Sequence, residues 1–270
     1  MFLKKCLYFL GMLISMLFVF SPYEETSINN EIDVTEENIQ HFSQQINHEI
    51  DERLSYEFFE KKCEIIDDTT HTDIQIVYPQ LMCKSRSTSV CEQFANILIE
   101  QTAREILEDF QDLDTYISMD YNVSLATDKV ISVQFFGDVY IWGTAHPSQF
   151  WKAINIDLTK GSRISLDALY EYTIKDYINS DNFTFSYGAI VPHTDNVELL
   201  LADYANDSYH VNDFYLTADK IGIALEVNFA SGGYVQYEAG YQLLKSCQKE
   251  SDIWSLFKSS YTVPTISRTA

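Results

Sequence analysis

Ile131-Ser-Val-Gln-Phe-Phe-Gly-Asp-Val-Tyr-Ile-Trp142 is followed by Gly143-Thr-Ala-His-Pro147, by Phe150-Trp-Lys-Ala-Ile-Asn-Ile-Asp157, by Leu158-Thr-Lys-Gly161 and by Ile164-Ser-Leu-Asp-Ala-Leu-Tyr170. Ile131, Val133 and Phe135 alternate with Ser132, Gln134 and Phe136, and Val139 and Ile141 continue beyond Gly137. A period of two predicts a strand, and the glycine inside it predicts a bulge. His146-Pro147 demands extended backbone and removes a ladder donor, so Gly143 to Pro147 reads as a turn. A second strand, about Phe150 to Asp157, leads to Gly161, which can take positive φ in a tight turn. Ser165 then stands at a helix N-cap, with Asp167 in the first turn. The unit is a long aromatic hairpin feeding a helix.

Upstream, Tyr56 to Ile66 and Thr72 to Tyr78 read as two strands around Asp67-Asp68-Thr-Thr, with Pro79 ending the second. Thr88 or Ser89 starts the longest helix, to about Phe110, with Phe94, Ile97, Leu98, Ile106 and Phe110 on its apolar face. Tyr116 to Ala126 is a strand that pairs with the next through Thr127-Asp128. Downstream, Glu171 to Asn179 and Thr194 to Tyr204 read as helices, and Phe214 to Thr217 and Ile221 to Phe229 as a hairpin. Ser231-Gly-Gly reads as a flexible turn, Tyr241 to Ser246 as the last strand, and Glu250 to Phe257 as a short helix. The fold class that follows is α+β: an antiparallel sheet with helices packed on one face. Phe94 and Leu98 are expected to pack with Val133 and Phe135.

Three stretches carry a resemblance. They are the Gly143 to Tyr170 segment, Ile74-Gln-Ile-Val-Tyr-Pro-Gln-Leu81, and the run Phe214-Tyr-Leu-Thr-Ala-Asp-Lys-Ile-Gly-Ile223, Gly233-Tyr-Val-Gln-Tyr-Glu-Ala-Gly240 and Tyr241-Gln-Leu-Leu-Lys245. In this order they resemble the extracytoplasmic module of domains of unknown function 4163 and 3298. Thr144, Gln236 and Glu238 stand where the family pattern has glycine, proline and alanine. Members include lysozyme-sensing anti-sigma factor ectodomains and the non-catalytic module of some polysaccharide deacetylases. The resemblance implies extracytoplasmic recognition of a lysozyme-like protein or of cell-wall glycan, in a Gram-positive bacterium, without catalysis in the module.

The chain has 270 residues, 46% hydrophobic and 14% aromatic, and carries 18 basic against 40 acidic residues, a formal charge of −22. Such a surface argues against phosphate-backbone binding and suits a basic partner. Lys4 and Lys5 precede an apolar run, Cys6 to Phe20, that spans roughly 22 Å as a helix, short of the ~30 Å of bilayer hydrocarbon. The reading is a signal peptide or membrane anchor over residues 1–22, with the rest outside the cytoplasm. A tether and juxtamembrane helix follow over 23–55, then one α+β ectodomain over 56–258, in halves 56–130 and 131–258, and a frayed tail over 259–270.

In an oxidising compartment Cys63, Cys83, Cys91 and Cys247 are expected to form two disulfides, with three possible connectivities. Cys83 with Cys91 would clip the loop before the long helix, and Cys63 with Cys247 would then tie the ends of the domain. No His-Glu-x-x-His, Cys-x-x-Cys, phosphate loop or dinucleotide fingerprint occurs, so no metal or cofactor is expected. The candidate binding residues are Trp142 and His146 at one turn and Tyr234, Tyr237 and Glu238 beside the Gly-Gly turn. Tyrosine and tryptophan at loop tips give contact area at low entropy cost. Tyr237→Ala would on this reading weaken binding without unfolding the domain. The alternative is an envelope hydrolase with a dispersed site around His146.

Overall fold

The structure is a computed structural model and describes residues 54–67, 71–84, 90–110, 114–188, 194–206, 213–227 and 233–257. All of them belong to one compact unit. The segment read as signal or anchor, the tether and helix up to residue 53, and the tail from 259 lie outside the described residues, as does the side chain of Cys91. No helix among the described residues is long and apolar enough to cross a membrane.

The fold is α+β, and the described residues form two sheets rather than one. The first contains β1 (Tyr56–Asp67), β2 (Thr72–Cys83), β3 (Thr115–Ala126), β4 (Val130–Ile141), β5 (Ser148–Asp157) and β6 (Ser162–Arg163), neighbours in that order. All pairs are antiparallel except β2 and β3, which run parallel over Asp73–Ile76 and Tyr116–Met119. Parallel neighbours need a long crossover, and the helix α1 (Val90–Phe110) supplies it. The expectation of a wholly antiparallel sheet is corrected at that point. The second sheet contains β7 (Thr184–Tyr187), β8 (Phe214–Leu216), β9 (Lys220–Glu226) and β10 (Tyr234–Gly240), in the spatial order β7-β10-β9-β8.

Gly137 is not at a bulge. The irregularity in the β3–β4 ladder falls at Ser124, between Val123 and Leu125, and Gly137 pairs with Met119 inside the regular register. A Cβ at Gly137 would lie 1.9 Å from the Ser118 carbonyl oxygen, so close approach of two backbones excludes a side chain there. Pro79 does not end β2, which continues to Cys83 against the edge strand β1. Gly161 does take a left-handed φ of 64° in the β5–β6 turn.

The face of α1 that meets the sheet is Ala95, Ile99, Ala103 and Ile106, each at most 3% exposed. They pack with Ile76, Tyr78, Ile117, Val133, Phe135 and Ile156. Two alanines in that stripe bring the helix close to the strands. Leu98 is half-buried beside this core, but Phe94 and Ile97 face outward at 51% and 50% exposure, against expectation. The three- and four-residue spacing admits both stripes, and the sheet takes the one with the smaller side chains. Asn96 fastens the helix to β2: its Oδ1 accepts from Leu81 N–H at 2.7 Å and its Nδ2 donates to Leu81 carbonyl at 2.9 Å. Ile99→Ala should cost about 2–5 kcal/mol, whereas Phe94→Ala should change stability by no more than about 0.5 kcal/mol. Urea denaturation of the two variants checks the orientation of the helix, and equal losses would overturn it.

One face of the second sheet, with Phe214, Leu216, Ile221, Ile223, Val235, Tyr237 and Ala239, forms a separate core. Short helical segments cover it: α2 (Leu166–Leu169), a 3-10 turn at Tyr172–Tyr177, α3 (Thr194–Asn206) and α4 (Ile253–Phe257). Ser165 occupies the N-cap of α2, but its hydroxyl bonds to the Asp167 side chain and makes no cap bond to the backbone. The expected last strand at Tyr241 to Ser246 is absent. Tyr241–Leu244 form a turn that runs into a 3-10 segment at Lys245–Cys247, and β10 is the last strand among the described residues.

The cysteine framework is corrected in part, at Cys63 and Cys247, while a Cys83–Cys91 pair lies outside the described residues. Cys63 and Cys247 carry free thiols. They sit in different cores: Cys63 on β1 against the α1 side of the first sheet, and Cys247, 1% exposed, in the second core. The Cys247 thiol lies 3.1 Å from the Leu244 carbonyl, and burial pushes its pKa up. A buried protonated thiol of this kind acts as a small apolar group.

Candidate functional site

Strand alternation places Ser132, Gln134, Phe136 and Asp138 of β4 on the sheet face opposite α1, with Asn155, Ala153, Trp151 and Gln149 of β5 across from them. The second sheet meets this face through its own non-core side. The deep end of the seam is polar and closed. Ser132 Oγ accepts from Leu216 N–H at 3.0 Å and lies 3.0 Å from Ser124 Oγ, and Asn155 Nδ2 donates to the Phe214 carbonyl at 2.6 Å.

Farther along, Gln134 Oε1 accepts two bonds, from Trp151 Nε1–H and from Gln236 Nε2, each at 3.1 Å. The Trp151 indole meets the Tyr215 ring edge to face, with centroids 5.9 Å apart. Tyr215, Gly222, Glu238 and Thr184 form one row across β8, β9, β10 and β7. Tyr215 O–H donates to Glu238 Oε1 at 2.8 Å, and Lys220 Nζ donates to Glu238 Oε2 at 2.9 Å. Burial and the Glu238 carboxylate push the Tyr215 phenol far above its ordinary range, and the hydrogen bond to Glu238 raises the Lys220 ammonium. Trp151, Gln236, Glu238 and Asp138 are half-buried along the seam, and Thr184, Ser186 and Tyr187 are exposed beside it. This strip offers an aromatic face, amides, hydroxyls and one carboxylate–ammonium pair.

The expected site residues fall in three places. Trp142 and His146 lie at the β4–β5 turn. Trp142 is 54% exposed, and its Nε1–H donates to the His71 carbonyl at 2.8 Å, which ties this turn to the β1–β2 turn. His146 is exposed, and its described bond is through its carbonyl, from Thr144 Oγ1 at 3.4 Å. Tyr234 and Tyr237 are not loop residues: both lie in β10, 8% and 3% exposed. Tyr237 packs in the second core against Phe185, so it presents no contact surface. Tyr234 stacks on Tyr187 at 6.1 Å. Glu238 belongs to the seam. Gly233, just before β10, does approach the start of β5, because a Cβ on it would lie 2.8 Å from Gln149 Cβ.

No family model matches the chain, and no curated protein matches it. The fold is similar to that of a member of the domain of unknown function 3298 family from Bacteroides fragilis. The TM-score is 0.46 at 12% identity, over 76% of this chain and 98% of that one. It is also similar to a protein of that family from Pseudomonas aeruginosa, with a TM-score of 0.44 at 12% identity, over 74% of this chain and 96% of the other.

Among the described residues no three of histidine, cysteine, aspartate and glutamate converge as a metal site. A cavity of about 80 Å³ lined by Ser55, Tyr56, Leu81, Cys83, Glu92, Asp128 and Leu158 has room for water and not for a substrate of hundreds of Å³. Gln134, Gln236, Tyr215 and Lys220 were not among the site residues expected from sequence. For β10 a signal was present: Val235, Tyr237 and Ala239 alternate with Gln236 and Glu238. The partnership of Tyr215 with Gly222 and Trp151 has no local signature.

Proposed function

We propose that this protein is a non-catalytic binding protein of the bacterial cell envelope, and that it recognises cell-wall glycan along the seam between its two sheets. The observation that carries this reading is the half-buried Trp151 indole, tethered through its N–H to Gln134 and flanked by Gln236 and Glu238. A fixed aromatic face stacks on the C–H face of a sugar, while amides and carboxylates match its hydroxyl and acetamido groups; few orienting polar groups around an apolar platform is the usual makeup of a small-ligand site. The extracytoplasmic setting rests on the Lys4-Lys5 and Cys6 to Phe20 pattern. A lysozyme-like basic protein is the other partner that the resemblance implies, and the acidic surface suits it. The burial of Tyr237, one of its two expected tyrosine anchors, favours the glycan.

The test is calorimetric titration with an oligosaccharide of β-1,4-linked N-acetylglucosamine, and in parallel with lysozyme at two ionic strengths. Wild type should bind the oligosaccharide, and Trp151→Ala should weaken it about tenfold or more, ~1.4 kcal/mol, with the fold intact. Equal affinities for the two proteins, or no heat with wild type, would sink the glycan reading. Salt-sensitive binding of lysozyme alone would move the function to a protein partner. Cleavage of the oligosaccharide that His146→Ala abolishes would replace both readings with a hydrolase.

A further inference from the structure

The seam contains a residue whose geometry suits neither ligand contact nor ordinary core packing. Tyr215 is 3% exposed, so it does not touch a ligand on the surface, yet it lies on the non-core face of the second sheet. Gly222 sits directly opposite on β9. A Cβ at Gly222 would fall 2.0 Å from Tyr215 Cζ and 2.5 Å from its hydroxyl oxygen, so the ring occupies the space over the β9 backbone that only glycine leaves open. In that pose its hydroxyl reaches Glu238, which Lys220 holds from the other side, and its ring meets the indole of Trp151. The indole is thereby fixed twice: at its N–H by Gln134, and at its ring by Tyr215. Burial and the neighbouring carboxylate keep the phenol protonated, so its donor is present at any physiological pH.

We infer that Tyr215, seated on Gly222 and anchored to Glu238, is the positioning residue of the binding strip, holding the Trp151 indole at the angle in which it serves as a platform. This rests on the glycan reading for its biological meaning, but the positioning itself is a property of the free protein. Preorganising a two-χ aromatic lowers the entropy lost on binding, which is where such a residue adds affinity without contact.

The test uses a Trp142→Phe/Trp254→Phe background, which leaves Trp151 as the sole tryptophan of the three in the chain. In that protein Tyr215→Phe, Tyr215→Leu and Glu238→Leu are compared. Acrylamide quenching and anisotropy of Trp151 are read without ligand, and affinity for the N-acetylglucosamine oligosaccharide is read separately. Tyr215→Leu should raise the quenching constant about twofold and lower anisotropy. Affinity should fall about tenfold, as expected for loss of a fixed anchor. Tyr215→Phe, which keeps the ring on Gly222 but loses the bond to Glu238, should fall between wild type and Tyr215→Leu in both signals. If Tyr215→Leu does not fold, Glu238→Leu decides, because it removes the same anchoring bond while leaving the ring in the chain; it should loosen Trp151 to the same intermediate degree as Tyr215→Phe. Unchanged Trp151 quenching and anisotropy in a folded Tyr215→Leu or Glu238→Leu protein would overturn the inference. Loosened Trp151 in a protein whose wild type binds no oligosaccharide would uphold the positioning role and reject the glycan reading alone.

Discussion

Gly137→Ala should destabilise the folded chain by about 3 kcal/mol, more than almost any surface change in a strand. The added carbon would stand 1.9 Å from the Ser118 carbonyl oxygen and 2.9 Å from Met119 Cα. Both neighbours are backbone atoms of β3, held in register with β4 on either side, so neither can move without breaking ladder bonds. A flexible side chain in that place would swing away, and a strand cannot. Urea denaturation read by far-ultraviolet circular dichroism should show a lower midpoint with an unchanged slope. A loss below about 0.5 kcal/mol would mean that β3 and β4 lie farther apart at this point.

The second large effect concerns Tyr237. Tyr237→Ala should cost about 3–5 kcal/mol, because it empties a buried aromatic site in the second core beside Phe185. Tyr237→Phe should behave in the opposite sense. The phenol oxygen is buried without a hydrogen-bond partner among the described residues, so removing it should leave stability unchanged or raise it by up to about 1 kcal/mol. Thermal unfolding of the pair separates the two roles offered for this residue. A Tyr237→Ala protein as stable as wild type would return the side chain to the surface and revive it as a contact residue.

Much of the first sheet was legible in sequence. Ile131 to Asp157 alternates with period two over two strands, and hydrophobic alternation is a local property that the ladder then uses. The crossover was harder to read. Thr127-Asp128 does form the tight β3–β4 connection, but the helix between β2 and β3 joins them in parallel, which a reading of hairpins alone does not reveal. Gly137 was visible as an anomaly while its reason was not, since the atom that forbids a Cβ belongs to a residue nineteen positions away. In β10 the Gly232-Gly233 pair drew Tyr234 and Tyr237 into an expected turn, although the alternation from Val235 to Ala239 argued for a strand. Of the candidate strip only Glu238 was legible. Tyr215, Gln134 and Gln236 come together through pairings between distant strands, and no spacing within the chain records that.

The amide of Asn96 has a consequence for the life of the chain outside its native state. β3 pairs with β2 only along Asp73 to Ile76, and beyond that point no described strand lies on the inner side of β2. At Leu81 a single side chain takes over, supplying one acceptor and one donor as a neighbouring strand would. An uncovered strand flank recruits foreign strands, so Asn96, together with Glu92, which accepts from Cys83 N–H at 3.2 Å, is expected to block misassociation there. Its loss should be felt less in the equilibrium stability of a dilute sample than in the concentration at which refolding chains begin to clump.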